Sequence, residues 1–303
     1  QYGGPHAEVN CIASVQEADR HLISSATMYV SLEPCGHFGK TPPCADLIIH
    51  HRIPEVVVGS RDPFDAVNGK GIEKMQQAGI MVTVGVLETA CLQLNERFFT
   101  FHTKKRPFVI LKWAQTADGF IAGKEKTDRL LITNTETNML VHKWRSEEAG
   151  ILVGTNTALY DNPSLTNRLW TGPSPTRLVL DKHLKLPADL HLFDRQQATV
   201  VFNVQKQEQQ ENLLYYKISF NENIVQQLLT ALFELKIISV IVEGGSQLLQ
   251  SFIDAGLWDE ARVITNTTLL IGEGLTAPRL QNQSLLTTTL CGTDSISTWQ
   301  NTS

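Results

Sequence analysis

Hydrophobic positions fall along this chain in short β-branched runs separated by longer stretches with helical spacing. Met28-Tyr29-Val30-Ser31-Leu32 and Glu55-Val56-Val57-Val58-Gly59 read as buried strands, and 80–86 as a third. Between them, Val9, Ile12, Ala13 and Val15 suit a helix that begins at or just before His6 and runs to about Ala18. Pro42-Pro43 opens a second helix with Cys44 in its first turn and Leu47, Ile48 and Ile49 behind it, because proline is tolerated where the N–H has no partner anyway. Residues 69–78 read as a third helix and 88–101 as a closing one. The alternation predicts a layered α/β domain with at least partly parallel strands.

His102-Thr103-Lys104-Lys105-Arg106-Pro107 is polar, basic and proline-terminated, and reads as a linker dividing the chain into domains 1–102 and 103–303. Beyond it the alternation resumes. Strands are predicted at 108–113, 151–154, 177–180, 199–202, 239–242 and 261–265, and helices at 135–149, 223–235 and 246–255. Residues 205–212 read as a polar surface connection. The sequence shows no internal repeat and no low-complexity segment.

Length and composition narrow the classes. A chain of 303 residues with 42% hydrophobic and 19% charged residues is ordinary globular protein of about two domains. A net charge of −5 without a dense Lys/Arg run argues against a nucleic-acid polymer as partner, since phosphate backbones need a clustered positive surface. No apolar run approaches about 18 residues, which argues against a membrane span. The five cysteines have no disulfide-like spacing, so a reducing cytoplasm is expected. The chain begins at Gln1, five residues before His6, and a preceding natural segment is expected to be missing.

The chemistry concentrates in His6-Ala7-Glu8, Glu33-Pro34-Cys35 and Pro43-Cys44. One imidazole and two thiolates match the three protein ligands of a catalytic zinc, with the fourth position open to water. A carboxylate two residues from the histidine can move protons for that water, as in zinc deaminases of nucleobases. Alone, a His-x-Glu is a chance event, and Cys35 and Cys44 taken singly are small buried hydrophobes. Two helix starts converging on one point would favour thiolates.

Eight residues separate the cysteines, where cytidine and guanine deaminases often have two. The longer segment, Leu32-Glu33-Pro34-Cys35-Gly36-His37 with Gly39-Lys40-Thr41-Pro42-Pro43-Cys44, resembles the deaminase half of the bacterial bifunctional riboflavin-biosynthesis deaminase/reductases. Asp62-Pro63, Asn68-Gly69-Lys70-Gly71 and Leu94-Asn95-Glu96-Arg97-Phe98 extend the resemblance. It implies a cytidine-deaminase-like α/β/α domain in which His6, Cys35 and Cys44 hold Zn2+ and Glu8 is the catalytic proton shuttle. Lys40 and Thr41 lie on the inter-ligand loop. Lys40 reads either as a substrate contact or as a solvated charge, and His37 is equally open.

The resemblance continues through Arg106-Pro107-Phe108-Val109-Ile110-Leu111-Lys112, Ala114, Asp118-Gly119, Arg145, Ile151-Leu152-Val153-Gly154, Leu165-Thr166, Arg168 and Val242-Glu243-Gly244-Gly245. It implies a dihydrofolate-reductase-like α/β domain that uses NADPH. Carried onto matching positions, Ala114, Thr157, Asp161, Gly245, Ser246 and Gln247 contact the cofactor, while Arg145, Leu165, Arg168 and Glu243 contact the substrate. Lys112 reads as a substrate contact or as an electrostatic helper on the ribose side.

Glycines before a helix let backbone N–H groups approach a phosphate, although an isolated Gly-Gly pair reads first as a tight turn. Arg145 and Arg168 suit a ribose phosphate, and without the resemblance both read as surface charges. One segment departs from the family: Arg129-Leu130-Leu131-Ile132-Thr133 stands where Ser-x-Trp-Ile-Thr/Ser is common, with Leu131 in place of the Trp.

The implied activities are deamination of 2,5-diamino-6-ribosylamino-4(3H)-pyrimidinone 5′-phosphate and reduction of its ribosyl group to ribityl, by a homo-oligomer. Two alternatives are a single-activity deaminase with a degenerate reductase-like domain, and a non-catalytic zinc-containing nucleotide-binding protein.

Overall fold

The computed structural model describes residues 4–38, 42–64, 68–124, 130–220 and 223–303, and the chain divides into two compact units, Gln1–Lys104 and Lys105–Ser303. Lys40, Thr41 and Arg129 lie outside the described residues.

In the first unit the order is α1 (Ala7–Ala13), β1 (Thr27–Leu32), α2 (Cys44–His50), β2 (Glu55–Ser60), α3 (Lys70–Gln77), β3 (Met81–Val84), α4 (Glu88–Leu94) and α5 (Glu96–Lys104). The strands lie parallel in the order β1-β2-β3, with Met28 in register with Val56 and Val58 with Val84. Ala45 and Ile48 on α2, spaced i, i+3, and Met75 on α3 pack in one core with the strand residues Met28, Val56 and Val58, and Ile72, three positions before Met75, is buried as well.

Several boundaries differ from the sequence-based expectation, the third strand among them, which spans Met81–Val84 rather than 80–86. The first helix stops at Ala13 rather than near Ala18: Ser14 turns its hydroxyl back onto the Cys11 carbonyl (2.7 Å), and residues Glu17–Ser25 continue as a 3-10 segment. The closing helix is two, because Asn95 folds its side-chain amide onto the Cys91 carbonyl (2.9 Å) and interrupts the ladder. Helix α5 then runs through Lys104, so 102–104 are helical and not linker.

The second unit comprises β4 (Phe108–Gln115), β5 (Phe120–Gly123), α6 (Thr135–Glu147), β6 (Gly150–Val153), α7 (Thr155–Asp161), β7 (Thr176–Leu180), β8 (Thr199–Asn203), β9 (Glu208–Gln210), β10 (Leu213–Lys217), α8 (Ile224–Glu234), β11 (Ser239–Gly244), α9 (Ser246–Asp254), β12 (Glu260–Asn266), β13 (Gly274–Thr276), β14 (Gln283–Cys291) and β15 (Asp294–Asn301). Its main sheet runs β14-β15-β12-β4-β11-β6-β7-β8-β10-β9, parallel from β12 through β10 and antiparallel at both ends. Apolar residues of α8 and α9, among them Leu228, Leu232, Leu249 and Phe252, cover one face. Val141 and Trp144 of α6 and Ala158 of α7 cover the other.

The continuous apolar runs Phe108–Leu111 and Val240–Val242 are what a strand buried on both faces requires. Arg106 forks onto Asp259 (2.5 and 2.8 Å), whose carboxylate also accepts the Val109 N–H (2.9 Å), and this anchors the start of β4. Residues 208–210, expected within a surface connection, form the edge strand β9.

Candidate active sites

His6 stands at the N-cap of α1, Cys35 just past the C-terminal end of β1, and Cys44 at the first position of α2. The His6 Nδ1 lies 3.6 Å from the Cys35 Sγ and 3.3 Å from the Cys44 Sγ, and the three donor atoms fall within 4.8 Å of one another. Zn–S near 2.3 Å and Zn–N near 2.0–2.1 Å at a tetrahedral angle place such atoms about 3.6 Å apart, so the donor set fits a zinc ion.

The electrostatics agree. The Cys35 thiol is held down at about 5, chiefly by the hydrogen bond from the Cys44 side chain, against burial and helped by the Cys44 N–H (3.3 Å) and His6. Cys44 is pushed well up by that same contact, by burial and by nearby Glu8. Two adjacent thiols thus share one negative charge, and a bound dication would let both ionise. Glu8 is the buried residue of α1, 9% exposed.

A residue with no role assigned from sequence organises this region. Glu33 is 3% exposed, and its carboxylate accepts four backbone N–H groups: Asp62 (3.3 Å) and Gly69 (2.9 Å) on Oε2, Gly71 (3.0 Å) and Ile72 (3.3 Å) on Oε1. The anion sits at the N-terminus of α3, where unpaired N–H groups and the helix dipole favour it. Gly71 must lack a side chain, because a Cβ there would lie 1.8 Å from the Pro34 carbonyl oxygen. Glu33 and Gly71 together clamp the strand end that delivers Cys35.

In the second unit the candidate residues gather at the C-terminal ends of parallel strands β4, β6 and β11, the usual place for ligands in open α/β sheets. Glu243 on β11 takes a two-pronged contact from Arg145 on α6, Nε to Oε1 at 2.8 Å and Nη2 to Oε2 at 2.6 Å. Val242 is in register with Leu111, which puts Glu243 beside Lys112 on β4, with Lys112 Nζ 4.0 Å from Oε2. Burial alone would raise the Glu243 carboxyl, yet Arg145 and Lys112 hold it at about 2. Arg145 Nη1 also reaches the Thr166 carbonyl (3.4 Å).

Leu165, just before Thr166, is 2% exposed and adopts φ 50, a conformation that is strained for a branched residue and clusters at functional sites. Arg168 is exposed, its guanidinium on the Thr166 hydroxyl (2.8 Å).

Gly244 and Gly245 lie against Thr157 of α7. A Cβ at either would approach the Thr157 hydroxyl, at 3.4 and 3.2 Å, and Gly244 has φ +141. Gly245 is the N-cap of α9 and offers no side-chain cap, so the first N–H groups of that helix have no side-chain partner at the cap. This glycine cradle fits a phosphate-bearing cofactor. The Ser246 hydroxyl donates to the Thr276 carbonyl (3.0 Å), Gln247 is exposed, Ala114 packs against the α6-side core, and Asp161 ends α7 in an exposed position. Leu131 is 78% exposed.

Two further residues escaped the sequence reading. His142 is buried, and its Nδ1 accepts the Arg168 N–H (2.9 Å); burial, with the Arg145 and Arg168 cations, pulls it down to about 4 and keeps the ring neutral. Its position three residues before Arg145 on a predicted helix was an available signal. Arg262 on β12 is in register with Lys112, 8% exposed, pairs with Glu260 (2.5 Å) and lies 4.9 Å from the Trp144 ring. Helix α6 is therefore fixed at adjacent residues to two different strands.

Residues 2–60 match the family model of the cytidine and deoxycytidylate deaminase zinc-binding region, and residues 107–299 that of the RibD C-terminal domain. Fold and sites thus define a deaminase joined to a reductase. The chain is 39% identical over 291 residues to riboflavin biosynthesis protein RibD of Aquifex aeolicus, covering 93% of this chain and 79% of that protein. It is 37% identical over 286 residues to RibD of Actinobacillus pleuropneumoniae, covering 91% and 75%.

The crystal structure of a diaminohydroxyphosphoribosylaminopyrimidine deaminase/5-amino-6-(5-phosphoribosylamino)uracil reductase from Thermotoga maritima matches with a TM-score of 0.89 at 36% identity, over 99% of this chain and 86% of that one. The second unit shares its fold with the yeast riboflavin biosynthesis reductase Rib7, TM-score 0.53 at 22% identity, over 69% of this chain and 99% of that one. The chain belongs to the RibD family of riboflavin biosynthesis proteins, and it is an enzyme with deaminase and reductase activities. No helix among the described residues is long and apolar enough to cross a membrane.

Proposed function

We propose that the chain acts on 2,5-diamino-6-ribosylamino-4(3H)-pyrimidinone 5′-phosphate, first replacing its 2-amino group by a carbonyl and then reducing the ribosyl group to ribityl. The cofactors are zinc in the first unit and NADPH in the second. The observation that carries the reading is the convergence of His6 Nδ1 and the Cys35 and Cys44 sulfurs within 4.8 Å, beside a buried Glu8.

His6, Cys35 and Cys44 hold the ion, which when bound supplies a Lewis acid that brings the pKa of water toward neutrality. Glu8 accepts the proton of the attacking water, delivers it to the ring nitrogen as the amino-bearing carbon becomes tetrahedral, and then moves a proton to the departing ammonia. Water in and ammonia out leave Glu8 as it began. In the second unit the hydride belongs to the nicotinamide, so the protein binds and orients. Ala114, Thr157, Asp161, Gly245, Ser246 and Gln247 face the cofactor; Lys112, Arg145, Leu165, Arg168 and Glu243 face the substrate. Because Arg145 is committed to Glu243, exposed Arg168 is the main contact for the ribose phosphate. The reading includes a homo-oligomer and a cytoplasmic location, the latter supported by five free cysteines.

Metal analysis and ammonia release test the first step. Wild type and Glu8→Gln should both bind one zinc, and only wild type should release ammonia; zinc-loaded wild type that releases none refutes it. NADPH oxidation on the deaminated substrate tests the second step, and a chain that releases ammonia but oxidises no NADPH on that substrate refutes it.

A further inference from the structure

Residues 162–168 carry Leu165 and Arg168 yet form neither helix nor strand, so no backbone ladder holds them. Helix α6 reaches this segment with two side chains one turn apart. Arg145, fixed by its fork onto Glu243, sends Nη1 to the Thr166 carbonyl (3.4 Å). His142, 2% exposed, accepts the Arg168 N–H on Nδ1 (2.9 Å). Between these anchors the Arg168 guanidinium turns back onto the Thr166 hydroxyl (2.8 Å), which closes a circuit that starts and ends on α6. The backbone of Arg168 is thus tied to a buried ring while its side chain stays exposed.

We propose that His142 is a positioning residue for the substrate phosphate: its Nδ1 fixes the backbone of Arg168, and with it the guanidinium that meets the phosphate. This rests on the phosphate contact assigned to Arg168 in the proposed function. A backbone N–H can only donate, so Nδ1 is the acceptor and the ring proton sits on Nε2. Burial, with the Arg145, Arg168 and Lys112 cations, disfavours a second ring proton against the pull of Glu243. The acceptor is therefore present throughout the neutral range. Through Arg145 the same circuit is tied to Glu243, so the phosphate anchor is held in register with the carboxylate on β11 that faces the substrate. A histidine that merely filled the core would stabilise the second unit without distinguishing one ligand from another. One that holds Arg168 acts on the phosphate-bearing substrate and leaves the nicotinamide cofactor alone.

The test is NADPH oxidation by the full chain on the deaminated substrate, with ammonia release as the control for the first unit. His142→Leu removes the acceptor, and His142→Asn places a carbonyl oxygen where Nδ1 stands. The leucine variant should raise the KM for the substrate by roughly 3- to 10-fold, the worth of one neutral hydrogen bond, with kcat and the KM for NADPH unchanged. The asparagine variant should return close to wild type. In an Arg168→Met background, His142→Leu should raise KM no further, because two residues that act as one unit are not additive. A wild-type KM in His142→Leu, an equal rise in both KM values, an asparagine variant as impaired as the leucine one, or additive effects with Arg168→Met overturns the proposal. Amide exchange at Arg168 in the unsubstituted chain reads the bond without mutation: it should be slow, and exchange at the rate of an unstructured peptide overturns the proposal. Arg168→Met alone separates the two readings. An unchanged KM there overturns the phosphate contact and this inference with it, whereas a raised KM beside a wild-type value in His142→Leu overturns this inference only.

Discussion

Replacing Glu33 by Gln should cripple the zinc site without touching a ligand. The substitution preserves size but exchanges one carboxylate oxygen for an amide nitrogen that can only donate. Two of the four N–H groups now satisfied, either Asp62 and Gly69 or Gly71 and Ile72, would then face a donor inside a site that is 3% exposed. Each buried donor left unpaired costs about 1–3 kcal/mol. Removing the anion from the N-terminus of α3 adds roughly 0.3–1 kcal/mol. The total, roughly 2–7 kcal/mol, is a large part of the 5–15 kcal/mol that holds a typical domain. Because Pro34-Cys35 follows directly, the loosened strand end should release zinc. The assay is urea unfolding of the full chain with zinc retention against a chelator, and NADPH oxidation as the control for the second unit. An unfolding free energy within about 0.5 kcal/mol of wild type, the range of an ordinary surface substitution, with zinc retained, would refute the reasoning.

In the second unit, Arg145→Met leaves Glu243 buried with Lys112, at 4.0 Å, in place of its close partner and should destabilise by about 3–5 kcal/mol in urea; Arg145→Met/Glu243→Gln should recover most of that, and no recovery would show that the pair is not the cause. Arg168→Met should raise the KM for the reductase substrate by roughly 10- to 100-fold, the worth of about 1.5–3 kcal/mol for a charged hydrogen bond, and leave ammonia release unchanged. His142 is held at about 4 when folded, against 6.5 for the free side chain, so the unfolded chain takes up the proton first. Its contribution leaves stability unaffected above pH 6.5, and stability then declines by at most about 1.4 kcal/mol per unit as pH falls from there toward 4. Comparing wild type with His142→Gln across that window isolates the slope, and identical slopes would contradict the assignment.

The cluster that the structure brings together, His6, Cys35 and Cys44 within 4.8 Å, was legible in the sequence because a histidine, two cysteines and a carboxylate in short motifs are chemically scarce. The strands expected at 55–59 and 239–242, which the structure extends to Glu55–Ser60 and Ser239–Gly244, were legible as short β-branched apolar runs. Glu33 was not: its partners are backbone N–H groups 29 to 39 positions away, which no side-chain pattern records. The Arg145–Glu243 fork joins residues 98 positions apart, and only the resemblance put both in one site. Strand β14 was invisible for a different reason, since a strand exposed on both faces has no hydrophobic alternation to detect. The interruption at Asn95 lay in a helix-like apolar pattern, where a single side chain competing for a carbonyl decides the outcome.

The central claim is that His6, Cys35 and Cys44 alone supply the protein ligands of one zinc ion. X-ray absorption at the zinc edge of the purified full chain tests it most directly. The expected first shell is two sulfurs and two lighter atoms, one of them from His6 and the other from solvent, with one sulfur lost in Cys35→Ser. A shell without sulfur, or one with three or four sulfurs, would contradict the account.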